Sequence, residues 1–449
     1  MAPGMGGQGL KPVQATSAHG VGRLSAPRRH LLVVRASFAT LGGAERELIQ
    51  LLQALQNTWD VTLATLDLPD EAAEVLGVEG LRVLRPATPW RPKGGLIEEV
   101  LDRGHAAATR AWASLNVPWS SVDAVHISVC RGSLDVLPLV PEHLPVHYNC
   151  LEPPRWLHED VLHRRIDGRP TRPLWLTRLA FSRQRRRDVR AVRGLLKRPL
   201  SLITGNSAYT AEQIQRVYRL DQPPLRDDGV PPSRDAAGRP LQAGVLHPGI
   251  DLSCWPATAT EDERADLQGL AVPERYVVTV GRASHVKGTW ATIDALAGSG
   301  TDLVQVGGGA PEDMARLSAH ATALGVGFHP MPRLSQAALR GLYRGAVAVV
   351  SHAHGEPFGL TPMEALAVGV PPVVVADGGF VETVSGFDPQ WLVPRGDLEA
   401  FRAALKRAED PEFRDQVQRS GPSYVATTFA IEEEVRSLTA LLDPLLASA

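Results

Sequence analysis

Short unbroken apolar runs alternate along the chain with segments whose apolar residues recur every three or four positions. His30-Leu31-Leu32-Val33-Val34 is the first run, and its lack of polar alternation suits a strand buried on both faces. A loop carrying Gly42-Gly43 follows, and Ala44, Leu48, Leu51, Leu52 and Leu55 then fall at helical spacing. Strand, glycine loop and helix in that order open a doubly wound α/β unit. Runs at 61–64, 124–127, 146–148 and 200–203 predict further strands, and 206–218 predicts a helix in which Thr210 and Gln213 have capping-box spacing.

A second series starts near residue 256. A strand at 276–280 runs into Gly281, one at 303–306 into Gly307-Gly308-Gly309, and two more are expected at 347–350 and 372–375. Helical patterns at 289–298, 311–323, 335–344 and 362–368 separate them, and 429–446 is helical in pattern. Strand and helix alternating twice over predict two α/β domains with mostly parallel sheets. The expected division is a disordered tail at 1–29, an N-terminal domain at 30–255, a C-terminal domain at 256–425 and a final helical segment at 426–449. Residues 221–244 are rich in Pro, Asp and Gly without an apolar pattern, and are expected to form a loop insertion.

Length and charge narrow the class. A chain of 449 residues exceeds what one core usually supports. Forty-seven Lys and Arg against forty-nine Asp and Glu leave a formal charge of −2, which argues against a nucleic-acid binder. Cys130, Cys150 and Cys254 stand too far apart for a disulfide scaffold or a zinc site, and suit a reducing compartment. No apolar run approaches the ~18 residues that span a bilayer, and the first thirty residues lack the apolar stretch of a secretory signal. A cytoplasmic protein is expected, with peripheral contact at the inner membrane face as an option.

Ligands of doubly wound sheets bind where the strands end, so the residues just after each strand carry the candidate chemistry. Arg282 and Lys287 follow the strand at 276–280. Arg supplies a planar fork and Lys a point charge, a pairing suited to a phosphate or diphosphate. After the strand at 347–350 come Glu356 and Glu364, eight residues apart. Thr361, Pro362 and Glu364 fit the N-cap, first and third positions of a helix, so Glu364 reads locally as a capping carboxylate. The same helix start would leave the N–H groups of Gly359, Leu360 and Thr361 free to hold an anion, with Gly359 permitting close backbone approach. No spacing suggests a metal site.

On these residues the chain resembles the retaining family 4 glycosyltransferases with the GT-B fold. The segment 354–376 (HGEPFGLTPMEALAVGVPPVVVA) is similar to their signature of two glutamates, a small-residue helix and Pro-Val-Val. The segment 278–288 (VTVGRASHVKG) is similar to their Gly-Arg…Lys-Gly loop, and 303–309 (LVQVGGG) to the strand and glycine loop that follow. In the first half, Leu41-Gly42-Gly43-Ala44-Glu45-Arg46, the Asn206-Ser207 segment, 245–251 and Glu152-Pro153-Pro154-Arg155 resemble family segments less tightly.

The resemblance implies two Rossmann-like domains facing across a cleft, and a hexosyltransferase that takes a UDP- or GDP-type nucleotide sugar as co-substrate, without metal or other cofactor. It implies that Arg282 and Lys287 hold the donor diphosphate, Glu356 contacts the donor sugar and Glu364 the ribose. Gly359, Leu360 and Thr361 would bind sugar and phosphate, Gly43 would approach the diphosphate from the other domain, and Glu152 and Arg155 would line the acceptor side. The acceptor would be a glycan or a lipid-linked alcohol, in glycan biosynthesis. The final helix would cross back to the N-terminal domain. In many members a His precedes the Glu-Pro segment; here Leu151 stands there, with His126 and His147 as candidate substitutes or as packed strand residues. Nine Lys or Arg and one acid fall in 178–198, and Arg178, Arg185, Arg186, Arg190, Arg193 and Lys197 are expected along one helix, either solvated or facing an anionic membrane. A nucleotide-sugar epimerase and a non-catalytic scaffold on the same fold are the alternatives.

Overall fold

The computed structural model describes residues 28–77, 80–91, 104–220 and 243–449. The tail expected at 1–29 falls outside them except for Arg28 and Arg29, and the insertion expected at 221–244 except for Ala243 and Gly244.

Among the described residues, thirteen strands form two parallel sheets. The first contains β1 (His30–Val34), β2 (Asp60–Ala64), β3 (Arg82–Leu84), β4 (Ala124–Ser128), β5 (Val146–Leu151), β6 (Ser201–Gly205) and β7 (Gly244–Val245), in the order β3-β2-β1-β4-β5-β6-β7. The second contains β8 (Tyr276–Val280), β9 (Asp302–Val306), β10 (Phe328–Met331), β11 (Val349–Ser351), β12 (Pro372–Val375) and β13 (Leu392–Val393), in the order β10-β9-β8-β11-β12-β13. Each sheet reverses its winding beside its first strand, which opens a crevice at the strand ends. β1, β4, β5 and β12 are buried along their whole length; β12 is apolar throughout, while β4 and β5 also bury His126, Ser128, His147 and Asn149. Pro330, which has no N–H to give a ladder, sits in β10 at a sheet edge.

The C-terminal helix Ile431–Leu446 lies on the first helix, Gly43–Leu55. Val435, Leu438 and Leu442 share a core with Leu48, Leu51 and Leu55, and Trp59 Nε1 donates to Thr439 Oγ1 at 3.1 Å. The last helix of the chain thus packs on the first sheet's layer rather than on the second.

Three local expectations change. The helix expected from Thr361 starts earlier, at Leu360, with Gly359 as its N-cap at φ +103°. A Cβ on Gly359 would sit 2.6 Å from the Phe380 ring, so sterics as well as φ select glycine there. Thr361 and Pro362 are then inside the helix, and Glu364 is one turn in, not a cap. The helix Ala208–Tyr218 is capped by Ser207, whose Oγ accepts the Thr210 N–H, so the capping pair is Ser207 and Thr210 rather than Thr210 and Gln213. The basic stretch is two helices, Leu174–Ala180 and Ser182–Leu195, broken at the buried Phe181. Arg178 lies on the first and pairs with Asp160, while Arg193 on the second is turned inward and buried. No single helix carries the whole charge.

Candidate functional site

The ends of both sheets open into one cavity of about 1500 Å³. Cys130, Glu152 and Asn206 reach it from beyond β4, β5 and β6, and Gly281 and Gly307 from beyond β8 and β9. Two helix starts border it from opposite sides. Leu360 opens one and Gly43 the other, and a Cβ on Gly43 would lie only 3.6 Å from Leu360 Cδ1. Both starts turn unpaired backbone N–H groups and positive dipole ends toward the same space. The Gly43 loop is pinned from below. Gly42 N–H donates to Glu45 Oε2 at 2.9 Å, and Glu45 forms a buried ion pair with Arg35.

Lys287 leaves the loop after β8. Its Nζ is 2.9 Å from Glu356 Oε2 and 3.2 Å from Oε1. The loop depends on Gly288, at φ +70°, where a Cβ would come within 2.0 Å of the His352 carbonyl oxygen. Arg282 lines the same part of the cavity and is exposed. Arg395 braces the loop after β11 from behind, with its Nη1 donating to His352 O at 3.0 Å and its Nη2 2.6 Å from Asp377 Oδ2.

Glu364 lines the cavity further along, where Tyr343 Oη donates to its Oε2 at 3.4 Å. Burial pushes its carboxyl up to about 7, against the opposing pull of Arg46 and the Tyr343 hydrogen bond. Arg46 and Arg333, also on the cavity wall, place two more cations at this end. The sequence reading missed both, because each looks like an ordinary surface residue of its own helix or loop.

On the N-terminal side, Glu152 follows β5 at a ladder irregularity where Leu151 takes φ +50°. A bulky side chain there is in a strained conformation. Burial pushes the Glu152 carboxyl up to about 7; Arg155 opposes that shift and Glu356 adds to it. Arg155 is not free for a ligand. Its Nε is 2.9 Å from Glu159 Oε2 and 3.7 Å from Glu152 Oε2, and its Nη2 donates to His354 O at 2.6 Å, which ties the two sheets' loops together. His126 and His147 do not reach the cavity. They lie fully buried in β4 and β5 with their Nδ1 atoms 3.0 Å apart, and His147 Nε2 is 2.8 Å from Thr204 Oγ1. Burial lowers both, that of His126 to about 4. They are the packed strand residues. Among the described residues, no group of three or more His, Cys, Asp or Glu converges as a metal site.

The structure therefore brings Gly43, Arg282, Lys287, Glu356, Gly359, Leu360, Thr361 and Glu364 around one cavity, with Glu152 and Arg155 on its N-terminal wall. Two parallel-sheet domains that share a cleft between opposed helix starts form the GT-B architecture of one class of glycosyltransferases. Its second half carries the sequence of that class: residues 261–423 match the family of glycosyl transferases group 1. The chain is similar to a lipopolysaccharide core biosynthesis mannosyltransferase of Rhizobium meliloti (strain 1021), 27% identical over 315 residues that cover 64% of this chain and 84% of that one. Its fold is that of a sucrose-phosphate synthase from Thermosynechococcus elongatus (TM-score 0.66, 18% identity, 94% of this chain and 100% of that one). Anabaena HepE, solved in complex with UDP and glucose, shares the fold as well (TM-score 0.63, 18% identity, 93% and 100%). The chain is thus a hexosyltransferase.

Proposed function

We propose that the chain belongs to the retaining family 4 branch of this class and moves a hexosyl unit from a UDP- or GDP-type donor to an alcohol on a glycan or lipid-linked acceptor, without a metal. The observation that carries the reading is the Lys287–Glu356 ion pair, 2.9 Å long, beside the start of the Leu360 helix. It sets a cation and a carboxylate where one cavity meets two positive helix ends.

In this reading Lys287 and Arg282 bind the diphosphate. When the bond from the sugar's anomeric carbon to the phosphate oxygen breaks, the electron pair leaves on the diphosphate, and fixed cations and N–H donors stabilise that growing charge. The charge is met by side chains and backbone, so no divalent ion is required. The N–H groups of Gly359, Leu360 and Thr361 receive phosphate and sugar oxygens, and Gly43 lets the opposite helix start approach. Glu356 exchanges its bond to Lys287 for the sugar's hydroxyls as the lysine turns to the diphosphate. Glu364 accepts the ribose hydroxyls. The acceptor oxygen bonds to the anomeric carbon on the face the diphosphate leaves, and its proton passes to a leaving phosphate oxygen. No carboxylate is assigned as a covalent nucleophile, in contrast to retaining glycosidases. Glu152 and Arg155 bound the side from which the acceptor arrives, and Arg155 acts by holding Glu152 and the His354 loop.

The test is release of free sugar from a panel of UDP- and GDP-sugars in EDTA, with proton NMR of the first-formed anomer. An α-linked donor yields the α-sugar first, and Glu356→Gln slows release without a trapped glycosyl-enzyme. First appearance of the β-anomer refutes retention, and dependence on added divalent ion refutes the metal-free route.

A further inference from the structure

Glu382 is the third residue of the short helix Phe380–Ser385, beyond β12 of the second sheet, yet both its carboxylate oxygens are held by residues that follow β6 and β7 of the first. Oε2 accepts the Ala208 N–H at 2.6 Å, and Oε1 is 2.6 Å from His247 Nε2. Ala208 opens the helix Ala208–Tyr218, so its N–H is one that the helix cannot pair for itself, and the dipole there favours an anion. A carboxylate from the other sheet's side supplies the missing acceptor.

On its own side, Glu382 is built into the loop that carries Glu356. Gly379 N–H donates to Glu356 O at 2.7 Å and Thr383 Oγ1 to Phe358 O at 3.3 Å, so the first turn of its helix wraps the backbone of 356–358. Gly378 and Gly379 permit that approach. A Cβ on the first would run into the Glu356 carbonyl oxygen, and one on the second into that of Pro357. A second link crosses beside this one. Ser207 Oγ donates to Pro357 O at 2.5 Å while accepting the Thr210 N–H, so the hydroxyl both caps its helix and grips the loop.

These links gather where the chain passes between the two sheets. Ile250 N–H donates to Phe429 O at 2.6 Å and Ile431 N–H to Ile250 O at 3.1 Å, so the two crossings are paired. The His247 ring packs against Phe358 of the loop and Phe429 of the second crossing, 5.9 and 5.5 Å between ring centres. Ser207, His247 and Glu382 stand outside the cavity wall, whereas Glu356, Pro357, Phe358 and Gly359 all form part of it.

We propose that Glu382 and His247 are positioning residues that fasten the Glu356–Gly359 loop to the first sheet's domain, so that Glu356 stands in its reactive place only while the two domains are docked through this carboxylate. They act through the loop backbone and touch no substrate. The effect on the reaction rests on the transfer reading above, whereas the fastening does not.

The experiment sets Glu382→Ala, Glu382→Gln and His247→Phe beside the wild type in the full chain. Hydrogen exchange without ligand reads the fastening. In Glu382→Ala the Ala208 and Gly379 N–H groups exchange at least about tenfold faster, while the strand Tyr276–Val280 keeps its wild-type protection. Release of free sugar from the UDP- and GDP-sugars falls about ten- to a hundredfold in kcat, the worth of hydrogen bonds to a charged group. Nucleoside diphosphate affinity stays within about threefold, because Lys287 and Arg282 stand on a different loop. Glu382→Gln, whose amide accepts from Ala208 and donates to His247, restores most of the rate. His247→Phe keeps the ring contacts and loses one bond, so its exchange and rate fall between those of the wild type and Glu382→Ala. Wild-type exchange at Gly379 in Glu382→Ala overturns the proposal, as does wild-type exchange and rate in His247→Phe. So does a loss of nucleoside diphosphate affinity in parallel with the rate, or a Glu382→Gln variant as slow as Glu382→Ala. Faster exchange in the variants of a chain whose wild type releases no sugar strikes the transfer reading and upholds the fastening.

Discussion

Replacing Glu364 by Gln tests the nucleotide end of the cavity through its pH dependence. The carboxyl stands at about 7 against an ordinary 4.5, chiefly because it is buried. In the empty protein it therefore holds a proton that the unfolded chain has already lost between pH 4.5 and 7. A raised carboxyl makes stability fall as pH climbs through that window. At 1.36 kcal/mol per unit, the 2.5 units between 4.5 and about 7 amount to about 3 kcal/mol in all. Glu364→Gln keeps the shape and has no proton to lose, so its unfolding free energy is flatter than the wild type's between pH 5 and 8, by about 2.5 kcal/mol of that total. Ribose hydroxyls donate to an ionised carboxylate, so nucleotide binding must expel the same proton. Wild-type affinity for the bound nucleotide diphosphate then rises up to about tenfold per unit below pH 7 and levels off above it. The variant binds about ten- to a hundredfold more weakly at pH 8, the worth of hydrogen bonds to a charged group, and shows no such slope. Urea titrations and calorimetric binding at pH 5, 6, 7 and 8 read both effects. A variant that binds at pH 8 with wild-type affinity, or that keeps the wild-type slope, refutes the reasoning.

Three further outcomes are expected. Lys287→Ala weakens nucleotide diphosphate binding by about thirtyfold, the loss of one charge-assisted contact of about 2 kcal/mol, with little change in the binding of the nucleoside alone, as calorimetry with both ligands will show. Gly288→Ala destabilises the fold by about 2 kcal/mol or more in urea titration, because its φ of +70° and the His352 carbonyl 2.0 Å from the added Cβ leave no relaxed conformation. Glu47 on the first helix and Glu434 on the last are buried together, and burial with mutual repulsion holds the Glu434 carboxyl well above its ordinary range. Glu47→Gln removes one of the two acids, so it raises the melting temperature at pH 8 and does so less at pH 5, measured by differential scanning calorimetry.

The strands were legible wherever a sheet buries both faces of a run, as in His30–Val34 and Tyr276–Val280, because no competing pattern fits four or five consecutive apolar residues. That the residues after the strand ends would line one cavity was legible for the same reason. They fall at fixed distances after strand ends, so linear spacing translates directly into place. The helix at Leu360 was misread because Thr361-Pro362…Glu364 imitates a cap, while the deciding facts are the positive φ of Gly359 and the Phe380 ring beside it, which come from another part of the chain. The basic stretch was misread because helical spacing continues through Phe181, and only burial of that ring between Trp156 and His163 breaks it. Arg46, Arg333 and the Glu47–Glu434 pair belong to contacts between distant segments, which leave no local pattern.

The central claim is that a nucleotide diphosphate seats between Lys287 and the two opposed helix starts. Its most direct test is a thermal-shift panel of UDP, GDP, ADP and dTDP in EDTA, run on the wild type and on Lys287→Ala. A ligand that binds only the folded state must raise its stability with concentration. The account predicts that one of these nucleotides shifts the wild type and largely fails to shift the variant. A panel that shifts neither, or shifts both alike, contradicts it.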